Sequence, residues 1–218
     1  MSAPSMKLTA ANLAALLCAR ICHDLVSPIG ALSAALEVFD DDDNLDMRDD
    51  AMELIKLSAG QASAKLQFLR LAFGAGGSAP GVIGLDELKK LTLGVFGDAK
   101  ANISWAVDAE GLDKPASRIL LNLVMLAVMA VPRGGDIVIS GGVEGGETQL
   151  KFVCTGFKAR LADSVVKTLA GAAPEDGFDG RNVQPFYTGM IAREAGGSVN
   201  ASIDEEIVTF SAVLPVQN

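Results

Sequence analysis

Aromatic residues are scarce, at 5% of a 218-residue chain that is half apolar. The apolar mass is therefore Ala, Leu, Val and Ile, a composition suited to packed helices and simple sheets. There is one histidine, His23, and there are three cysteines, Cys18, Cys22 and Cys154. A single histidine furnishes neither a zinc-ligand cluster nor a hydrolytic triad. The odd cysteine count argues against a disulfide framework and for a reducing cytoplasm. Positive charge is also short: 18 Lys and Arg face 27 Asp and Glu, leaving a net charge of −9. That balance opposes the phosphate contacts of nucleic-acid binding. The longest apolar run, Ile119–Pro132, is interrupted by Asn122 and too short to span a bilayer, and Met1–Thr9 has no signal-peptide pattern. A soluble, cytoplasmic protein with neither nucleic acid nor membrane as partner is expected.

What is present is helical periodicity. Apolar or small residues recur at Cys18, Ile21, Leu25, Pro28, Leu32, Ala35 and Phe39, which alternates steps of three and four and makes one seam of a helix over Leu13–Phe39. Pro28 removes a backbone donor inside that pattern, so a local kink after His23 is expected. The run Asp40–Asp43 repels itself and breaks the helix, with Asn44 and Asp46 suited to a turn and the next cap. The alternation returns at Met52, Ile55, Ala59, Ala62, Leu66, Leu69 and Phe73. The two seams predict an antiparallel hairpin. A lone hairpin leaves half its seam bare, so pairing into a four-helix bundle through a homodimer is expected.

Gly74–Gly84 shifts composition to Gly, Ala and Ser and marks a boundary. The expected division is a hairpin domain at 1–75, a linker at 76–84 and a second domain at 85–218. In the second domain, periodicity predicts helices over Leu85–Phe96, Pro115–Val131, Ala159–Ala170 and Val183–Ala195. Alternation predicts strands at Ile103–Val107, Ile137–Ser140, Gln149–Cys154, Ser198–Ile203 and Ile207–Leu214. The fold class is α+β: a long helical hairpin followed by a sandwich of helices on a mixed sheet.

His23 is two residues from both Ile21 and Leu25, roughly 200° around the helix from each, on the face opposite the seam. It should meet water. An isolated exposed histidine on a helix usually has no chemistry, but this one has neighbours. His23, Asp24, Leu25, Val26, Ser27 and Pro28 read H-D-L-V-S-P, which resembles the phosphoacceptor box of the histidine-kinase superfamily. A neutral imidazole nitrogen is a good nucleophile near pH 7, and the phosphoramidate it forms stays reactive. The resemblance implies that His23 is the phosphoacceptor and that Asp24 orients its ring. Ser27, one turn on, could contact phosphate or partner; Arg20, one turn before, could steady phosphate charge. Val26, Ile29 and Gly30 are candidates for an apolar partner contact.

The second domain resembles the Bergerat-type ATP-binding domain of histidine kinases, with its motifs altered. Asn122 keeps the first position of the asparagine box, but Leu126 stands where the family carries its Mg²⁺-binding asparagine. Cys154 and Lys158 fall where an adenine-binding acid and a glycine belong. The ending of the family's last helix survives as Gly196 and Gly197, but the glycine-rich phosphate loop before it is reduced to Gly189. A histidine hairpin on a degenerate Bergerat-type sandwich resembles the ChpT-type histidine phosphotransferases. That resemblance implies no ATP, cofactor or metal bound by this chain, with Mg²⁺ supplied by the partner's receiver domain, because phosphoryl transfer depends on positioning and charge neutralisation. It implies a CckA-like hybrid histidine kinase as donor and CtrA-like and CpdR-like response regulators as acceptors, in cell-cycle control. Two other readings use the same residues: an active ATP-dependent kinase, and a noncatalytic receiver-binding adaptor in which His23 is incidental.

Overall fold

The computed structural model describes residues 8–74, 81–174 and 177–216. Helix α1 spans Ala10–Asp40 and is capped by Thr9, whose side chain accepts the Asn12 N–H at 3.2 Å. It continues as one helix through Pro28, which is buried. The carboxylate of Asp41 ends it by accepting the Asp43 N–H at 3.0 Å. Asn44 and Asp46, expected to form a turn and a cap, lie instead inside a six-residue 3₁₀ segment, Asp42–Met47. That segment feeds directly into α2, Arg48–Ala72, whose N-cap residue Met47 makes no side-chain cap. The expected seam is found at Ile21, Leu25, Pro28, Leu32, Ala35 and Phe39, all partly or fully buried, whereas Cys18 is exposed. On α2, Ala59 and Leu66 are exposed, and Ser58 and Phe68 are buried in their stead.

Helix α1 is also long and apolar enough to cross a membrane by length and composition, with 31 residues and a mean hydropathy of 1.4 over its best window. It is longer than Ile119–Pro132, the apolar run named above. The same apolar residues serve a hairpin, because α1 lies against α2 along its length.

Strand β1, Val82–Gly84, comes next and pairs antiparallel with β3, Gly111–Asp113. The linker expected at 76–84 is therefore partly a strand; its residues 76–80 lie outside the described residues. Between the two come α3, Leu85–Phe96, and β2, Ala101–Asp108. Helix α4, Lys114–Ala130, begins at Asp113, whose carboxylate accepts the Ala116 N–H at 2.8 Å, with Pro115 in the first turn. The strands β4 (Gly135–Glu144), β5 (Glu147–Thr155), β6 (Ser198–Asp204) and β7 (Ile207–Pro215) complete a five-stranded sheet in the order β2-β4-β5-β7-β6. Only β2 and β4 pair in parallel, joined by the α4 crossover; the other neighbours are antiparallel. The remaining helices are α5, Asp163–Leu169, and α6, Val183–Glu194. Helix α5 is shorter than expected because Ala159 and Arg160 are held in a turn by bonds to Gly156 O and Ala130 O.

Alternation sets the sheet's inner face. Trp105, Ile139, Phe152, Phe210 and Ala201 align across all five strands, and the middle three are at most 1% exposed. They lie under α4, which is apolar on nearly every side because it is covered by the sheet, α6 and the hairpin. Phe68, Leu69 and Ala72 of α2 belong to this same buried cluster. The core thus continues from the sheet into the lower end of the hairpin.

Candidate functional site

His23 stands on α1 with its side chain 85% exposed, on the face away from the seam. Its Nδ1 is 3.2 Å from Asp24 Oδ1. The other oxygen, Asp24 Oδ2, accepts from Arg20 Nε at 2.9 Å, across one helical turn. Arg20 and Asp24 are both mostly covered, their side chains 16% and 20% exposed. The Arg20 guanidinium also donates to Gly180 O at 3.3 Å, in the segment just before α6. Lys65 of α2 donates to the Asp24 carbonyl at 3.2 Å. The imidazole is therefore the free end of a chain, Gly180–Arg20–Asp24–His23, whose inner members are fixed.

The electrostatics of that chain select a tautomer. A carboxylate only accepts, so the ring proton belongs on Nδ1 facing Asp24, and Nε2 keeps its lone pair toward solvent. That nitrogen can act as a nucleophile. Any positive charge the ring gains is met by the adjacent carboxylate.

Val26, Ser27 and Gly30 follow His23 at spacings of three, four and seven, so they share its stripe, and all three are exposed. Val26 is 67% exposed, and no atom lies within 4 Å of where a Cβ on Gly30 would sit. Ile29 is 49% exposed on a neighbouring face. Arg20, His23 and Asp24 are thus joined by direct contacts, while Val26, Ser27, Ile29 and Gly30 form open surface beside them.

Next to Asp24 a cleft of about 180 Å³ opens between the hairpin and the second unit, lined by Asp24, Lys65, Phe68, Phe96, Met125 and Met129 among others. Lys65 and the cleft went unseen in the sequence, because nothing in the period of α2 marks one lysine and because the cleft joins residues far apart in the chain.

Of the altered motif residues of the second unit, Asn122, Leu126 and Cys154 are interior, whereas Lys158 is exposed. Asn122 and Cys154 are fully buried and Leu126 is 3% exposed. Burial pushes the Cys154 thiol up to about 12, so it is neutral at physiological pH. Asn122 spends its amide on Ala72 O and Arg118 O, both at 2.8 Å. Gln184 on α6 in turn donates to Asn122 O and Oδ1, each at 3.0 Å. The glycines have packing reasons. A Cβ on Gly189, within α6, would come 1.9 Å from Leu169 O, and Gly196 has φ +79° in the turn that ends α6. The part of Gln184, Tyr187 and Thr188 was missed, although three hydrogen-bonding residues at i, i+3 and i+4 on the buried face of α6 were a readable signal. Among the described residues, no three or more His, Cys, Asp or Glu side chains are grouped to hold a metal ion.

Fold and site together define a histidine-bearing hairpin built onto a Bergerat-type sandwich. A family model for the histidine phosphotransferase C-terminal domain matches residues 85–207. The protein phosphotransferase ChpT of Brucella abortus (strain 2308) is 39% identical over 214 residues, covering 97% of this chain and all of that one. The chain belongs to the ChpT-type histidine phosphotransferases. The solved structure of a bacterial phosphotransferase is 35% identical, with a TM-score of 0.82 over 95% of this chain and 98% of that one. Full-length ShkA in complex with AMPPNP shares the fold at 20% identity, with a TM-score of 0.50 over 96% of this chain and 46% of that one.

Proposed function

We propose that this protein carries a phosphoryl group on Nε2 of His23, taking it from the receiver domain of a CckA-like hybrid histidine kinase and passing it to CtrA-like and CpdR-like response regulators. The exposed imidazole with Nδ1 engaged by Asp24 is the observation that carries this reading. In the forward step the Nε2 lone pair attacks the phosphorus of an aspartyl phosphate on the receiver. The N–P bond forms as the P–O bond breaks, and that bond's electrons stay with the receiver's carboxylate. The Nδ1 proton remains in place, and Asp24, backed by Arg20, faces the charged ring. The reverse step delivers the phosphoryl group to a second receiver. Mg²⁺ comes with the receiver, where it neutralises phosphoryl charge. Val26, Ile29, Gly30 and Ser27 form the docking surface around the ring.

ATP has no part in this reading. The positions that the family resemblance assigns to nucleotide and metal hold Leu126, a neutral Cys154 and an Asn122 already spent on backbone carbonyls. The working form is a homodimer, supported by the apolar residues left bare on the hairpin: Leu36, Leu54, Leu57 and Leu66 are 43–55% exposed. The setting is a cytoplasmic phosphorelay of the cell cycle. Two labelling reactions test the reading. Radiolabelled ATP alone should leave the protein unlabelled, whereas a phosphorylated receiver should label it, and His23→Gln should lose the label but keep the dimer. Labelling by ATP alone, or transfer that survives in the variant, would contradict it.

A further inference from the structure

The hairpin and the second unit are joined by a buried polar network that the transfer chemistry does not use. Asn122 of α4 donates to Ala72 O, the last residue of α2, at 2.8 Å. Gln184 of α6 holds Asn122 from behind at 3.0 Å, and Thr188 donates to Gln184 O at 2.8 Å. The Tyr187 hydroxyl donates to Phe73 O at 3.2 Å and accepts from Arg118, while its ring meets Phe73 edge-on at 5.6 Å. Each of these bonds ends on the last turn of α2 or on a residue that holds one that does. Moving the units apart would strand buried donors and carbonyls, so the network resists a swing of one unit against the other.

The arrangement it preserves includes the surface beside His23. One wall of the neighbouring cleft comes from α1 and α2, the other from Phe96 of α3 and Met125 and Met129 of α4. Arg20 and Asp24, the two residues behind the His23 ring, line that cleft, so the surface beside His23 borders both units. We infer that Asn122, Gln184 and Tyr187 are positioning residues, which pin the end of the hairpin to the second unit so that an incoming phosphorylated receiver meets a preformed face made by both. The inference rests on His23 as the phosphoryl carrier. Preorganisation of this kind spares the partner the cost of ordering two loose units and so acts on binding.

Tyr187→Phe removes one hydroxyl and keeps the ring; Gln184→Leu removes the bond behind Asn122. Transfer from a phosphorylated receiver should show KM raised about tenfold, the size of one buried hydrogen bond, with kcat within about twofold. Direct labelling of His23 by phosphoramidate, which needs no docked protein, should match the unaltered chain. Hydrogen exchange should quicken over residues 68–73 and stay unchanged at Phe152–Cys154. An unchanged KM in Tyr187→Phe, a fall in kcat at constant KM, or unaltered exchange over 68–73 would overturn the inference, whether or not Gln184→Leu folds. Failure of phosphoramidate to label the unaltered protein would instead sink the reading of His23, and the exchange result would still judge the pins.

Discussion

At the scale of single residues, the chemistry rests on how Asp24 divides its two oxygens. One is held by Arg20 and the other faces His23 Nδ1, so in the proposed transfer the acid sets the tautomer and offsets charge on the phosphorylated ring. Asp24→Asn removes the charge and offers a donor in its place. Labelling of His23 by phosphoramidate should slow by about 10- to 100-fold, the equivalent of one charge-assisted hydrogen bond; an unchanged rate would leave Asp24 without a role. The exposed His23 was legible because its offset from Ile21 and Leu25 turns it away from the seam. Arg20 and Asp24 were legible as neighbours on one helix, but the tie from Arg20 to Gly180 was not, since no local pattern announces a contact 160 residues away. Cys154 supports a second prediction. Its pKa, about 12 in the folded chain against an ordinary 9.0, means that the unfolded chain loses its proton first. Stability from this group is intact below about pH 9 and declines as pH rises toward 12. Cys154→Val should flatten that decline in denaturant titrations, and in the folded protein Cys154 should resist thiol reagents.

Among the elements, α4 is the one on which the others depend. It crosses over from β2 to β4, lies on the sheet and meets α2, α3 and α6. Its start relies on the buried Asp113 cap, so Asp113→Ala should cost about 0.5–2 kcal/mol of stability in chemical denaturation. Phe68 ties α2 to the second unit by packing edge-on against Phe96 at 5.5 Å; Phe68→Ala should cost about 3–5 kcal/mol. Helices α3 and α6 and all five strands of the large sheet were readable from periodicity, because each has one face toward the core. Strands β1 and β3 were not, since three residues cannot establish a period. The 3₁₀ segment escaped for a similar reason: Asp40–Asp43 signals a break, but not the geometry that the chain adopts to turn.

For the whole molecule, two units distinguishable in the sequence share one core, with Phe68, Leu69 and Ala72 inside it. Gly74–Gly84 reads as a linker by composition, yet Val82–Gly84 is a strand and the end of α2 is bonded to α4 and α6. Contacts across a boundary leave no mark in local composition, which is why the joint was not foreseen. If the proposed homodimer forms on the bare side of the hairpin, Leu57→Glu should shift the protein to monomer in sedimentation, whereas an unaltered chain that sediments as a monomer would remove the dimer. The most direct measurement places the phosphate itself. Phosphorus NMR of the chain after exposure to a phosphorylated receiver should find a single phosphoramidate on Nε2 of His23, discharged when an unphosphorylated receiver with Mg²⁺ is added. Phosphate on Nδ1, on any other residue, or fixed in place after that addition would contradict a relay through this ring.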